Sequence, residues 1–184
     1  MANIPKVLLT GLPGIGKTTI IQRFLELTGA EAGGFFTEEI RQRGQRFGFS
    51  LNLLSGHRYV LASVEIRSRF RVGKYGVDLQ TFETYALPAI GEAIAARKLV
   101  VVDEIGKMEM LSQPFRQLIR IALDSKSLSP RILGTILSRP HPFADEIRRR
   151  PDVRIVEVTK ENRDRLPAEL AEMFGLQIVE GSFH

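Results

Sequence analysis

The chain has 184 residues, no cysteine, and 26 Lys and Arg against 21 Asp and Glu, which gives a net charge of +5. This length favours a single domain, residues 1–184, whose core needs no disulfides, and the lack of cysteine excludes disulfides and thiolate metal sites. No apolar run reaches the length of a membrane span and no signal-peptide pattern is present, so we expect a cytoplasmic protein.

The first predicted elements are a strand, a glycine-rich loop and a helix. Residues 6–10 are an apolar run of strand length, and residues 18–28 place their apolar side chains on one helical face. Between them lies Gly-x-x-x-x-Gly-Lys-Thr, made of Gly11, Leu12, Pro13, Gly14, Ile15, Gly16, Lys17 and Thr18. Backbone N–H groups of such a loop surround a phosphate, the Lys17 ammonium reaches the outer phosphates, and the Thr18 hydroxyl can ligate Mg²⁺. We therefore predict a nucleotide site here.

The next segment is typical of antiparallel strands. Residues 34–41, 47–53 and 59–62 alternate or cluster in short apolar runs separated by polar turns. We predict an antiparallel meander, residues 34–62, inserted beside the nucleotide-binding core. Residues 67–76 are basic, aromatic and glycine-spaced, match neither helix nor strand, and are predicted to form a functional loop. A helix is predicted over residues 81–97.

The rest of the chain alternates between strands and helices. Leu99, Val100, Val101 and Val102 are consecutive apolar residues followed by Asp103 and Glu104, a pattern typical of a strand buried on both faces of a parallel sheet. Helices are predicted at 112–124, 144–149 and 160–174, and strands at 131–136 and 153–158. The alternation predicts an α/β fold, with a predominantly parallel sheet and helices on both faces.

The end of the buried strand supplies the second half of a nucleotide site. Ligands of such sheets bind at the carboxyl ends of the strands. Asp103 is therefore a candidate Mg²⁺ ligand, and its alternative is to cap the next segment. Glu104 is a candidate for polarising the attacking water, which would favour hydrolysis, and its alternative is a salt bridge. Thr135 and Ser138 lie near the end of another predicted strand and are candidates for polar contacts near the terminal phosphate and the attacking water, and their alternative is to be ordinary strand-end residues.

Basic residues have two candidate roles. A cation that stabilises the transition state of phosphoryl transfer could be Arg41, Arg43, Arg46, Arg69, Arg71, Arg139 or Arg163, and the sequence does not choose among them. Arg148, Arg149 and Arg150 form the densest basic run. This run could bind nucleic acid, but a solvated helix end is the simpler interpretation.

A guanine-nucleotide switch is a poor match. Residues 103–106 satisfy its Asp-x-x-Gly pattern, and residues 159–162 distantly resemble its base-recognition motif. That motif ends in a carboxylate, which accepts hydrogen bonds from guanine, whereas Asn162 offers an amide. Guanine specificity is therefore not predicted.

Five blocks of the chain, residues 11–19, 33–37, 73–77, 102–109 and 161–164, occur in an order and spacing that resemble one family. They resemble the cancer-related or thermophile-type nucleoside-triphosphatases, and the Asp-Glu-Ile-Gly-x-Met-Glu block is the most specific part. The resemblance implies a RecA/AAA-like P-loop NTPase fold and hydrolysis of several nucleoside triphosphates to diphosphate and phosphate. It also implies nucleotide contacts by residues 11–18 and by Leu99 through Glu104, Ile105 and Gly106.

Three functions stay open from the sequence. The leading one is Mg²⁺-dependent hydrolysis of ATP, GTP, CTP and UTP, with Lys17 and Glu104 as catalytic residues and Thr18 and Asp103 as metal ligands. The alternatives are a nucleotide or nucleoside kinase and a nucleic-acid-associated ATPase module. The partners expected are nucleoside triphosphates, with no membrane. The sequence does not determine the oligomeric state.

Overall fold

The computed structural model describes residues 5–124 and 130–179. Its strands are β1 (Lys6–Thr10), β2 (Ala32–Gln42), β3 (Gln45–Leu53), β4 (Arg58–Ser63), β5 (Arg71–Val72), β6 (Tyr75–Val77), β7 (Leu99–Ile105), β8 (Ile132–Ile136) and β9 (Arg154–Glu157). Its α-helices are α1 (Lys17–Thr28), α2 (Leu79–Ala95), α3 (Gln113–Asp124), α4 (Pro142–Arg148) and α5 (Leu166–Phe174). A short 3-10 helix, Glu109–Leu111, follows β7.

The strands of the described residues form one mixed sheet in the order β5-β6-β4-β3-β2-β7-β8-β1-β9. Strands β2, β7, β8, β1 and β9 are parallel and form the parallel core. Strand β2 joins this core through residues 32–36, and beyond them it pairs antiparallel with β3. Residues 37–77, which we call the antiparallel wing, hold the rest of β2 and β3 to β6. The predicted α/β fold and its antiparallel strands are confirmed.

Two hydrophobic cores lie on the two faces of the sheet because side chains alternate along buried strands. Val7 and Leu9 pack in the core that contains α1 and α5, whereas Leu8 packs in the core that contains α2, α3 and α4. Strand β7 divides in the same way, with Val101 on the first face and Val102 on the second. Across the described ranges, no helix is long and apolar enough to cross a membrane.

Two segments differ from the sequence prediction. The predicted loop at residues 67–76 contains a small antiparallel hairpin of β5 and β6, and strands of two and three residues are too short to produce a recognisable pattern. Helix α5 begins at Leu166 rather than near residue 160. The Asn162 side chain holds the preceding residues in a turn, and Pro167 lies in the first turn of α5, where its missing N–H group is tolerated.

Candidate active site

The glycine-rich loop connects β1 to α1 at the carboxyl edge of the parallel core. Gly14 and Gly16 have φ angles of 77° and 111°, which residues with a β-carbon rarely adopt. Gly16 immediately precedes the first residue of α1, and its carbonyl accepts a hydrogen bond from the Ile20 N–H at 2.9 Å. The loop therefore leads directly into a helix N-terminus, where free N–H groups and the helix dipole attract anions.

Lys17 adds a positive charge to this loop. Its ammonium donates hydrogen bonds to the carbonyls of Gly11 at 3.1 Å and Leu12 at 3.2 Å. Both acceptors belong to the loop itself, so the charge lies beside the loop rather than in a distant ion pair. This is the electrostatic arrangement expected of a triphosphate site.

Asp103 connects three elements at the same edge. It lies in β7, is only 4% exposed, and pairs in register with Phe36 of β2. Its carboxylate accepts a hydrogen bond from the Thr18 hydroxyl at 2.5 Å and a short one from the Thr135 hydroxyl of β8. Burial raises the pKa of Asp103, while the Thr135 and Thr18 hydrogen bonds and the Lys17 charge lower it in part.

The donors around Asp103 are suited to a hard divalent cation. Thr18 and Asp103 place a hydroxyl oxygen and a carboxylate oxygen next to each other, and Mg²⁺ prefers oxygen ligands. In the described parts of the chain, no group of three or more His, Asp or Glu side chains could hold a metal ion by itself. A Mg²⁺ site here would therefore need phosphate and water oxygens as well, as is usual for this ion.

Glu104 is the second acidic residue of the site. It is half-buried, and a cis peptide bond joins it to Asp103. Burial raises the pKa of its carboxyl, the Lys17 charge lowers it, and the Asp103 carboxylate raises it again. A partly desolvated carboxylate close to the lysine of a phosphate loop is placed to accept a proton from water.

Glu109 is a third carboxyl group at this site, and we assigned it no role from the sequence. It begins the 3-10 helix after β7 and is 4% exposed. A β-carbon added to Gly106 would lie 2.9 Å from Glu109 Oε2 and 3.1 Å from Glu104 Oε2, so the two carboxyl groups flank the same glycine. Burial, followed by repulsion from Glu104, raises the pKa of Glu109 to about 8. The sequence did carry a signal, because Glu109 ends the Asp-Glu-Ile-Gly-x-Met-Glu block on which the family resemblance most depends.

Some of the other residues predicted for the site contact Asp103 or Glu104, and others do not. Thr135 contacts Asp103, whereas Ser138 is exposed beyond the end of β8. Leu99, Val100, Val101 and Val102 are almost fully buried in the two cores, where they hold β7 in place, so direct nucleotide contact by these four stays a prediction. Ile105 and Gly106 are buried next to Glu104.

The basic run near the end of α4 is largely engaged within the chain. Arg148 pairs with Asp145 at 2.6 Å, and Arg150 pairs with Asp124 at 2.6 Å and with Asp152 at 2.9 Å. Arg149 is exposed. Two of the three charges therefore have acidic partners, which leaves less of the run for phosphate groups. Nucleic-acid binding by this run stays a prediction.

The part of the chain that holds the loop, the aspartate and the glutamate matches a known protein family. A family model described as NTPase matches residues 6–171. The chain belongs to this NTPase family. It is 40% identical over 165 residues to the nucleoside-triphosphatase THEP1 of Thermotoga maritima, covering 90% of this chain and 92% of that protein. It is 43% identical over 175 residues to the human cancer-related nucleoside-triphosphatase, covering 87% and 91% of the two chains.

Solved structures of NTPase family members have the same fold. The crystal structure of THEP1 from Aquifex aeolicus superposes with a TM-score of 0.84 at 37% identity, over 92% of this chain and 98% of that one. The solution structure of a human cancer-related nucleoside triphosphatase gives a TM-score of 0.77 at 42% identity, over 91% and 96%. The resemblance that we inferred from the sequence motifs is thus confirmed.

Proposed function

We propose that this NTPase family member hydrolyses nucleoside 5'-triphosphates to diphosphate and phosphate, depends on Mg²⁺ and has low base specificity. The observation that carries the proposal is the Asp103 carboxylate, which accepts hydrogen bonds from Thr18 of the phosphate loop and Thr135 of β8. Glu104 follows directly in β7. One carboxylate thus contacts both the phosphate loop and β8, and Glu104 beside it is a potential base.

Each residue has a definite task in the proposed reaction. The loop N–H groups and the Lys17 ammonium bind the phosphates, and Thr18 and Asp103 would hold Mg²⁺, which neutralises charge on the phosphate oxygens. Glu104 orients a water molecule and takes its proton while the water oxygen bonds to the terminal phosphorus. The bond from that phosphorus to the bridging oxygen breaks, and the nucleoside diphosphate leaves. The raised pKa of Glu104 makes it a stronger base than an exposed carboxylate.

Low base specificity is supported by the loop after β9. The Asn162 amide oxygen accepts a hydrogen bond from the Thr159 N–H at 2.8 Å, and its amide nitrogen donates one to the Glu157 carbonyl at 2.8 Å. In the distant resemblance of residues 159–162 to the base-recognition motif of a guanine-nucleotide switch, Asn162 matches the base-binding carboxylate. Because this side chain already binds its own loop, it is poorly suited to distinguish one base from another.

The decisive experiment measures phosphate release by the purified protein from ATP, GTP, CTP and UTP, with Mg²⁺ or with EDTA and without any acceptor. We expect Mg²⁺-dependent release from all four at rates within about tenfold of one another, because the Asn162 side chain is engaged within its own loop. The Glu104→Gln variant, purified in parallel, controls for contaminating phosphatases. Turnover only after addition of a nucleoside or nucleotide acceptor would favour a kinase, and release unaffected by EDTA would exclude the Mg²⁺ role.

A further inference from the structure

The order of strands distinguishes among the seven arginines that the sequence offers as transition-state cations. Strand β8 is the strand of this sheet that lies between β1, which leads into the phosphate loop, and β7, which carries Asp103 and Glu104. Arg139 follows the end of β8 by three residues. It is the one candidate of the seven that leaves the sheet between the two halves of the site.

Backbone contacts fix the position from which Arg139 leaves. Thr135 pairs in register with Leu9 of β1, and its hydroxyl binds Asp103. The Leu137 N–H then donates to the Ile105 carbonyl at 3.1 Å, so the chain follows β7 for two residues more. Four residues span at most about 14 Å, which keeps the Arg139 backbone within that distance of Thr135. Arg139 therefore lies on the connection that leaves the carboxyl end of β8, between the strand that leads into the phosphate loop and the strand that carries Asp103.

Arg139 also has no partner among the residues that the structure describes. It is exposed, and within residues 5–124 and 130–179 it makes no hydrogen bond or ion pair. An exposed guanidinium without a partner contributes little to folding, but it can form two parallel hydrogen bonds to phosphoryl oxygens. The Arg139 guanidinium is therefore available to bind the phosphates of a substrate.

The hairpin arginines of the antiparallel wing are placed differently. Phe36 lies level with Asp103, and β2 then continues to Gln42, so Arg43 at the hairpin turn lies about 20 Å farther along the strand direction. Arg41 and Arg46 both bind the Glu39 carboxylate. These three side chains are too distant or already engaged.

The three remaining arginines contact other groups or lie on the other side of β1. The Arg71 guanidinium donates to the Lys74 carbonyl at 2.7 Å, and the Arg69 guanidinium lies over the Phe70 ring at 4.8 Å from its centroid. Arg163 follows β9, which flanks β1 on the side away from β7. In the mechanism proposed above the attacking water lies beside Glu104 on the β7 side, so Arg163 would approach the phosphates from the opposite side.

We propose that Arg139 is a catalytic residue that binds the oxygens of the transferring phosphoryl group and stabilises their charge in the transition state. The proposal rests on the hydrolase function proposed above. In the loose transition state of phosphoryl transfer, negative charge spreads over oxygens that a planar guanidinium can bind in pairs. Arg139 would bind from the β8 side, while Lys17 binds from the loop.

The test is a kinetic comparison of wild type with Arg139→Ala and Arg139→Lys, using phosphate release from ATP with Mg²⁺. We expect Arg139→Ala to lower kcat about 100-fold, as is usual when one preorganised donor to a developing charge is removed, with KM changed less than about threefold. The kcat of Arg139→Lys should lie between those of wild type and Arg139→Ala, because lysine keeps the charge but cannot form the paired hydrogen bonds. Since Arg139 is exposed, thermal melting should be unchanged.

A second readout uses a transition-state analogue. Wild type with Mg²⁺, ADP and aluminium fluoride should bind ADP much more tightly than with ADP alone, and calorimetry measures both affinities. Arg139→Ala should keep the affinity for ADP alone and lose most of the gain from aluminium fluoride. An equal loss in both conditions would mean that Arg139 binds the ground state, and it would overturn the proposal.

Two exposed cations serve as matched comparisons. Arg149→Ala removes another exposed arginine, directly after α4, and should leave kcat unchanged. Lys107→Ala removes the exposed cation next to Gly106 and should change kcat by less than about threefold. A wild-type kcat in Arg139→Ala, or a large loss in Lys107→Ala instead, overturns the assignment. If wild type itself releases no phosphate, it is the proposed function that fails.

Discussion

The parallel core and the antiparallel wing of this NTPase family member use charge in opposite ways. Residues 37–77 contain eight Lys and Arg against three Asp and Glu, so the wing accounts for the whole net charge of +5. Its cations are exposed, and several of them bind surface partners, as Arg46 binds Glu39. The core places few charges at its carboxyl edge, but Asp103 and Glu109 there are each only 4% exposed.

This difference indicates that burial, rather than the number of charges, distinguishes the proposed active site from the rest of the surface. Exposed pairs are screened by water and salt and typically contribute 0–1 kcal/mol. Groups removed from water interact several times more strongly and show raised pKa values, as Asp103, Glu104 and Glu109 do. Substitutions in the core and in the wing test this difference in burial.

The largest expected effect is at Glu104. Glu104→Gln should lower kcat about 1000-fold while ADP binding is preserved, because the amide keeps the shape but cannot accept the proton from water. Lys17→Ala should weaken ADP binding as well, since it removes a ground-state contact to phosphate. Phosphate-release kinetics and calorimetric titration with ADP measure both. Near-normal turnover of Glu104→Gln would remove Glu104 from the mechanism.

The next effect is at Gly106, where the site leaves no space for a β-carbon. Gly106→Ala would place that carbon 2.9 Å from Glu109 Oε2 and 3.1 Å from Glu104 Oε2, so at least one carboxyl group must move. We expect kcat to fall about 10- to 100-fold, because misplacing a catalytic group by 1 Å has effects of that size. Phosphate release and chemical denaturation together separate lost catalysis from lost folding.

Gly91→Ala is the matched control for Gly106→Ala. Gly91 lies inside α2, and no atom comes within 4 Å of its added β-carbon. This variant should keep full activity and gain about 0.5–1 kcal/mol of stability from helix propensity. If both alanine variants behave alike, the tight space around Gly106 has no catalytic meaning.

A third effect is the pH dependence of stability at Glu109. Because burial raises its pKa to about 8, the native state retains a proton that the unfolded state releases near the ordinary glutamate pKa. The free energy of unfolding should therefore fall as pH rises from about 5 to 8, by up to about 1.4 kcal/mol per pH unit. Glu109→Gln should lack this pH-dependent contribution and should be more stable than wild type near pH 8.

Urea denaturation of wild type and Glu109→Gln at pH 5, 6, 7 and 8 measures this difference. Asp103, Glu104 and Lys17 are present in both proteins, so the difference between the two curves reports Glu109 together with its coupling to the neighbouring carboxyl groups. Glu172→Gln, which removes an exposed carboxyl group from α5, is the matched control for the change of charge. Parallel curves for Glu109→Gln and wild type would mean that Glu109 is not held neutral in the native state.

The smallest effect is expected in the antiparallel wing. Arg46→Ala removes an exposed cation that pairs with Glu39 and lies 5.6 Å from the Phe49 ring centroid. We expect less than about 1 kcal/mol of lost stability and a kcat within about twofold of wild type. Thermal melting and phosphate release measure these values. A tenfold loss of kcat would bring the hairpin into the active site and end the contrast between the two regions.

Much of the parallel core was predictable because its patterns are local. The apolar run before Asp103 and the glycines after Thr10 each specify a strand end and a loop within a few residues. The β5-β6 hairpin was missed because strands of two or three residues depend on their neighbours. The start of α5 was misplaced because the Asn162 hydrogen bonds hold the preceding turn.

The sequence by itself determined the phosphate loop, the acidic pair 103–104 and the α/β class, because each depends on residue types at short spacing. Only the tertiary structure placed β8 between β1 and β7, joined Thr18 and Thr135 to one carboxylate, and brought Glu109 beside Glu104. These contacts join residues 32 to 85 positions apart or depend on burial. Strand order and solvent exclusion belong to the packed sheet as a whole, and no single segment encodes them.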